Sequence, residues 1–169
     1  SLSGEAYFKV AKENTRPFCV RSGEYCLKVY GTEFNLNTYD EENIEAVLVK
    51  GSVGFQANEA APEKRLKVNQ LGVANSKAGT SVIQDVDVTS YIAWKNHDLI
   101  FVNEELESIM KKVSRWYDVN IIFEDEVSKA VRFNGNIPKY AELEKLLYVM
   151  EKTSDVRFRI TDKTIRITK

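Results

Sequence analysis

The sequence predicts a protein of mixed fold class, with an all-β domain over residues 1–92 followed by a small α+β domain over residues 93–169. Two observations predict this division. Before residue 92, apolar residues alternate with polar ones in short runs separated by glycines, which is typical of a sandwich or roll. After it, strand-like runs alternate with segments of helical period.

In the N-terminal half, apolar and polar residues alternate with a period of two, which is typical of strands with one buried face. The runs that show it are AYFKV, PFCV, YCLKVY, EFNLNTY and IEAVLVKGSVGF. No window of this half shows a helical period. The strand pattern has already begun at Glu5, and we therefore expect the chain to be a piece of a longer protein whose leading segment is absent.

Two cysteines flank a predicted hairpin in this half. A two-residue turn at Ser22-Gly23 would place Cys19 opposite Cys26, with Cα atoms about 5.5 Å apart, a separation that a disulfide tolerates. A turn at Gly23-Glu24 would misalign the pair. The sequence leaves both a disulfide and two free thiols open.

The C-terminal half begins with the strand DLIFV, followed by a helix. Asn103 is the predicted N-cap, because its side chain can accept a hydrogen bond from a free N–H of the first turn. Asp118 is predicted to end the helix, and VNIIF to form a strand. The apolar residues that define one helix face are Leu106, Ile109, Met110, Val113 and Trp116.

A second unit repeats this order, with the strand VRFNGNI and a helix after Pro138 whose apolar face is Leu143, Leu146, Leu147 and Met150. The hairpin VRFRI–TIRIT then pairs Ile160 with Ile165 and Phe158 with Ile167. A constant offset of 37 residues carries Leu106 onto Leu143. Either two similar β-α-β units pack about a pseudo-twofold axis, or two helices share one amphipathic pattern independently.

Composition argues against several functional classes. The net charge is −1, from 24 Lys and Arg against 25 Asp and Glu, and gives no basic surface for nucleic acid. No run approaches the roughly 18 apolar residues that cross a bilayer. One histidine, His97, and two cysteines are too few for a zinc site or a Cys-His nucleophile. No catalytic residue, metal or cofactor is predicted.

Several segments in order resemble a FecR-type protein, most strongly the anti-sigma regulators of Bacteroides-like bacteria. They are GEAYFKVAKENTRPFCV, KVYGTEFNLNTY, AVLVKGSV, IAWKNHDLIFVNEELESIMKKVSRWYDVNIIF and FNGNI, and the resemblance runs from Gly4 to Lys169. Two turns depart from the family's pattern, at Asn96–Asp98 and Asn69–Gly72. Cys19 and Cys26 also lie outside that pattern.

The resemblance implies the periplasmic part of a single-pass inner-membrane anti-sigma factor that acts without catalysis. Its partners would be the signalling domain of a TonB-dependent outer-membrane transducer and, through a cytoplasmic segment missing from this chain, a sigma factor. The C-terminal β-α-β-β-α-β domain resembles the small signalling domain of those transducers and of secretins, which suggests docking between domains.

An open sheet edge can accept a partner strand. The candidate is Val131–Ile137, where the partner-binding side chains Arg132, Asn134 and Asn136 would face out while Val131, Phe133 and Ile137 face in. The alternative is an interior strand with one solvated face.

Two other functions remain open at this point. A glycan-binding or glycan-cleaving domain could use Tyr30, Tyr39 and Tyr91 as sugar platforms, with catalysis by the acidic groups Glu41-Glu42, Asp85/Asp87 and Glu124–Glu126. Clustered acids in loops are more often solvated charges. A structural adaptor of an outer-membrane assembly is the third hypothesis.

Overall fold

The computed structural model describes the whole chain except residues 14–15, 17, 24, 41, 57–60, 76 and 139. The protein is mostly β, with several sheets and a few helices, as the sequence predicts. It forms two compact units, Ser1–Ile92 and Ala93–Lys169.

Within the described residues, the strands of the N-terminal unit form two antiparallel sheets. The five-stranded sheet has the order β1-β4-β5-β8-β9 and the four-stranded sheet the order β2-β3-β6-β7. The strands are β1 (Glu5–Lys9), β2 (Phe18–Ser22), β3 (Tyr25–Val29), β4 (Glu33–Asn37), β5 (Asn43–Lys50), β6 (Val53–Gln56), β7 (Lys64–Leu66), β8 (Gln70–Asn75) and β9 (Thr80–Asp85).

One buried cluster includes side chains from both of these sheets, such as Leu27 and Phe55 from one and Phe34 from the other. The alternation in the sequence produces this arrangement, because every second side chain of a strand points to the same face. Gly72 in β8 is required where the sheets meet, since a Cβ atom there would lie 2.9 Å from the side chain of Leu66.

The N-terminal unit differs from the sequence prediction in two places. A short helix, α1 (Val88–Ile92), ends the unit, where the sequence predicts no helix. In the β2–β3 hairpin Ser22 pairs with Tyr25, which puts Cys19 opposite Lys28. The turn is therefore the later of the two considered, the cysteines are not directly opposite, and both thiols are free.

The C-terminal unit contains two α-helices, a two-stranded sheet of order β10-β12 and a three-stranded sheet of order β11-β14-β13. Two short 3-10 helices are also present, at Ala93–Asn96 and Ser128–Ala130. The other elements are β10 (Asp98–Glu105), α2 (Leu106–Tyr117), β11 (Asn120–Phe123), β12 (Arg132–Pro138), α3 (Leu143–Lys152), β13 (Arg157–Thr161) and β14 (Thr164–Thr168).

A single buried cluster draws on both helices and on both sheets of this unit. The apolar face predicted for α2 is buried from Leu106 to Val113, and Trp116 is half-buried against the same cluster. Asp118 ends α2 in the left-handed region, with φ 54°, as predicted. The N-cap prediction is wrong, because Asn103 lies within β10 and α2 begins three residues later.

The β13–β14 hairpin has the predicted register, with Ile160 opposite Ile165 and Phe158 opposite Ile167. Strands that lie about 37 residues apart in the sequence run in opposite directions. β10 and β12 pair antiparallel with each other. β11 is parallel to β14 and β13 is antiparallel to it, so β11 and β13 run in opposite directions on either side of β14.

Candidate protein-binding surface

β12 is an edge strand in the part of the chain that the structure describes. It pairs with β10 on one side, and no described strand pairs with its other side. The strand that the sequence singled out is therefore not an interior strand. Its side chains alternate near its start, where Phe133 is buried and the neighbouring Arg132 and Asn134 are exposed.

Two of the three predicted partner-binding side chains are engaged with β10. The Arg132 guanidinium donates to the carbonyl oxygen of Asn103 at 2.6 Å and forms an ion pair with Glu105. The Asn134 side-chain oxygen accepts from the Asn103 N–H at 2.9 Å. Both contacts cross the strand pair, so these residues hold the backbone of β10 as well as facing solvent.

The segment that they hold is a β-bulge. The register of β10 against β12 shifts between Phe101 and Glu104, and Asn103 has a φ of 49°. A bulge redirects a side chain, and here Val102 is left 64% exposed. Sequence analysis did not predict this apolar residue on the surface. The available signal was an asparagine, which tolerates the left-handed region, in the middle of a strand pattern.

Asn136 is the third predicted residue and is exposed opposite Ile100. The structure shows no side-chain hydrogen bond from Asn136 to another described residue. The available parts of the β12 surface are therefore its unpaired backbone edge, the Asn136 side chain and the nearby Val102. We use the name "β12 surface" for this edge together with Arg132, Asn134, Asn136 and Val102.

β13 is another terminal strand with an unpaired side in the described residues, and sequence analysis missed it. Thr161 and Thr164 close a two-residue turn, so the hydrogen-bonding groups of Phe158 and Ile160 point away from β14. Part of this edge is already occupied, because the Glu151 carboxylate accepts from the Phe158 N–H at 2.7 Å.

The outer face of the same sheet is positively charged. Arg159 of β13 lies directly opposite Arg166 of β14, and like charges in that position are destabilising. Arg166 has Glu124 at 3.4 Å, which offsets part of the repulsion. The signal in the sequence was the alternation of arginine in VRFRI, but the strand's edge position could not be predicted from it.

Several of the acidic groups considered for catalysis have hydrogen-bond or ion-pair partners in the described residues. Asp87 accepts from the Thr89 N–H at 2.9 Å, and this hydrogen bond lowers the pKa of the carboxyl. Asp125 accepts from the Ser128 N–H at 2.7 Å and from the Lys169 N–H at 2.8 Å, which lowers its pKa likewise. Glu124 and Glu126 form ion pairs with Arg166 and Lys129. Glu41 lies outside the described residues.

The remaining candidates for small-molecule chemistry lie on different elements of the structure. Tyr30 follows β3 and Tyr39 follows β4, each 49% exposed, and the half-buried Tyr91 is in α1. His97 occupies a turn with a φ of 64°, and its ring centroid lies 5.7 Å from that of Tyr140. Among the described residues, no group of three or more His, Cys, Asp or Glu side chains is placed to hold a metal ion.

Comparison with protein families gives two matches that follow the division of the chain. Residues 98–167 match the C-terminal FecR model, and residues 1–54 match the FecR protein model. The chain belongs to the FecR family. No curated protein matches it. Among the described residues, no helix of this FecR protein has both the length and the apolar character needed to span a bilayer.

Two crystal structures of a "putative anti-sigma factor" from Parabacteroides distasonis ATCC 8503 are similar to this FecR protein. The structure at 1.65 Å resolution superposes with a TM-score of 0.84 and 25% identity, over 98% of this chain and 77% of the other. The structure at 2.50 Å resolution gives a TM-score of 0.82 with the same identity and coverage. Neither these structures nor the two family models describe a glycan-binding or glycan-cleaving protein.

Proposed function

We propose that this chain is the periplasmic signal-receiving region of a transmembrane anti-sigma factor. It would relay a signal from a TonB-dependent outer-membrane transducer to a cytoplasmic sigma factor by protein contact, without catalysis. The membership of the FecR family supports this proposal, as does the similarity of nearly the whole chain to structures described as an anti-sigma factor.

The open edge of β12 is the observation that carries the contact mechanism. An unpaired edge can accept one strand from a partner, so that backbone hydrogen bonds supply affinity and alternate side chains supply selectivity. Strand addition at this edge would place partner side chains beside Asn136 and over the exposed Val102. The bulge at Asn103, held by Arg132 and Asn134, would set the position of Val102.

In this mechanism the sigma factor contacts a cytoplasmic segment of the full-length protein. The transducer's signalling domain contacts the C-terminal unit on the opposite side of the membrane. A transducer that has bound its nutrient presents that domain differently. The resulting change in contact at the β12 surface is the signal. The chain described here needs only to bind and to transmit the change.

The proposal is tested by titrating the chain with the signalling domain encoded beside it, using isothermal calorimetry. We expect saturable binding, and we expect Asn136→Arg to weaken it about tenfold or more, which corresponds to about 1.4 kcal/mol. The large side chain would obstruct the strand that pairs beside Asn136.

Arg159→Glu is the control, since it also alters the charge at one exposed position on an edge strand of the same unit. If Arg159→Glu abolishes binding while Asn136→Arg does not, the contact lies at β13 and the relay proposal survives with a different surface. Absence of binding by the unmodified chain, or sugar turnover by it, would reject the relay itself.

A further inference from the structure

The β2–β3 hairpin places Cys19 and Cys26 on the same face. Cys19 lies opposite Lys28, and Cys26 lies opposite Arg21, two positions nearer the turn. Because Ser22 and Tyr25 close a two-residue turn as a hydrogen-bonded pair, both cysteines occupy the non-hydrogen-bonded pairs, where the two strands approach most closely.

The two thiols are diagonal neighbours on this face. The right-handed twist of a strand pair draws one diagonal together, which favours the approach of the two thiols. Burial raises the pKa of the Cys26 thiol, and its neighbour Cys19 raises it further. Cys19 is exposed and Cys26 is half-buried, so solvent reaches the pair through Cys19.

β2 is an edge strand, and its outer side is held only near the turn in the described residues. The Leu2 N–H donates to the Arg21 carbonyl oxygen at 2.9 Å, and the Ser22 hydroxyl donates to the Leu2 carbonyl oxygen at 2.9 Å. Diagonal cysteines are farther apart than most bridged pairs, so closing a bond between them needs a small backbone movement. The end of β2 that carries Cys19 has no backbone hydrogen bond on its outer side in the described residues.

We propose that Cys19 and Cys26 form a reversible disulfide across the diagonal of this hairpin, made by exchange with a small disulfide or with a disulfide-bearing oxidoreductase. The Cys19 thiolate attacks the oxidant's disulfide, forming a mixed disulfide and releasing one thiolate. The Cys26 thiolate then attacks the Cys19 sulfur and releases the second. The protein loses two hydrogens and the oxidant's disulfide is reduced to two thiols.

The position of the bond determines its behaviour. An exposed and strained disulfide is more easily reduced than a buried structural one. Closing the eight-residue loop from Cys19 to Cys26 also restricts the unfolded chain. The bond therefore tightens the edge of the four-stranded sheet when it is present and releases it on reduction. This device operates with a small disulfide alone and is independent of the proposed signalling role.

The test is incubation of the reduced chain with oxidised glutathione, followed by intact mass measurement and thermal unfolding. We expect a loss of two hydrogens without a lasting glutathione adduct, and recovery of both thiols on addition of reduced glutathione. Oxidation should raise the unfolding midpoint by about 5 °C in the absence of reductant.

Two variants isolate the mechanism. Cys26→Ser should retain a glutathione adduct on Cys19, because the resolving thiol is gone, whereas Cys19→Ser should react slowly. A lasting adduct on Cys19 of the unmodified chain would overturn the proposal, because it would show that Cys26 cannot reach the Cys19 sulfur. Covalent dimers in place of the internal bond would also overturn it, as would two thiols that stay unreacted.

Discussion

The two β-hairpins β2–β3 and β13–β14, one in each unit, share a local design but are fastened by different chemistry. Each has a two-residue turn, and each ends at the edge of its sheet. The C-terminal hairpin is held by carboxylates, since Asp118 forms an ion pair with Lys163 at the turn and Asp125 accepts from the Lys169 N–H at the far end.

The N-terminal hairpin is held by other groups. Leu2 bonds the outer side of β2 near the turn, and the two thiols lie on one diagonal of the hairpin. The same supersecondary motif is therefore sensitive to acid in one unit and to oxidation in the other. What differs is the side chains around the motif, while the backbone pattern is shared.

The largest expected effect comes from the face that both hairpins bury. Ile165 of β14 is fully buried, and Leu27 of β3 is 1% exposed. Replacing either with alanine should lower the free energy of unfolding by about 3 kcal/mol, because each change removes apolar contacts and leaves a cavity. Urea denaturation would measure the loss.

The milder change Ile165→Val is the control and should cost about 1 kcal/mol. If Ile165→Ala and Leu27→Ala lower the free energy of unfolding equally, the two hairpins differ only in the contacts that hold their turns and edges. A loss below 1 kcal/mol for either alanine variant would contradict its assignment to a packed core.

The second effect is a dependence on acid. The ion pair with Lys163 lowers the pKa of Asp118, and backbone N–H groups lower the pKa of Asp125. A lowered pKa in the folded state stabilises the protein fully above the unfolded value of about 3.9, and this stability is lost as the pH falls through the folded value. Asp118→Asn and Asp125→Asn should therefore each reduce the fall in stability between pH 5 and pH 2.

The measurement is the free energy of unfolding across that pH range for each variant. Asp155→Asn is the matched control, because Asp155 follows the second helix as Asp118 follows the first and has no hydrogen bond or ion pair to another described residue. If the free energy of unfolding falls equally steeply with pH in Asp125→Asn and in the unmodified chain, the two backbone hydrogen bonds to Asp125 do not lower its pKa on folding.

The smallest effects lie in the turns. Gly23 and Asp162 have nearly the same backbone angle, with φ of 55° and 53°. Gly23→Ala should cost about 1 kcal/mol from the left-handed backbone alone, since an added Cβ meets no atom within 4 Å. Asp162→Gly should be neutral or stabilise by up to about 1 kcal/mol.

Thermal unfolding of the two turn variants would compare them directly. Destabilisation by Asp162→Gly would indicate that the aspartate side chain contributes more to the turn than its backbone strain costs.

The two hairpins also show when a register can be predicted from sequence. In β13–β14, a turn one residue earlier would put Ile160 opposite Lys163, and a turn one residue later would put Phe158 opposite Lys169. Only the observed register keeps both residues opposite isoleucines. In β2–β3, both candidate turns keep Val20 opposite an apolar residue, Tyr25 in one and Leu27 in the other. The apolar pattern could not choose between them, and the positive φ of Gly23 accompanies the turn that formed.

The candidate site was only partly predictable for a related reason. The exposure of Arg132 and Asn134 follows from alternation with Phe133, which is visible in the sequence. Their bonds to Asn103 depend on a bulge in another strand 29 and 31 residues away. The same bulge makes the N-cap prediction wrong, because Asn103 is held in β10 and Glu105 precedes the helix.

The sequence by itself determined the alternating strands of the N-terminal unit and the buried face of α2, because apolar periodicity is a local property that each strand and helix carries. It also determined the register of β13–β14, where only one register keeps both Phe158 and Ile160 opposite isoleucines. Only the tertiary structure decided which strands lie at the edges, which thiols meet and where β10 bulges. Those features depend on contacts between segments far apart in the chain, and such contacts leave no period in the sequence.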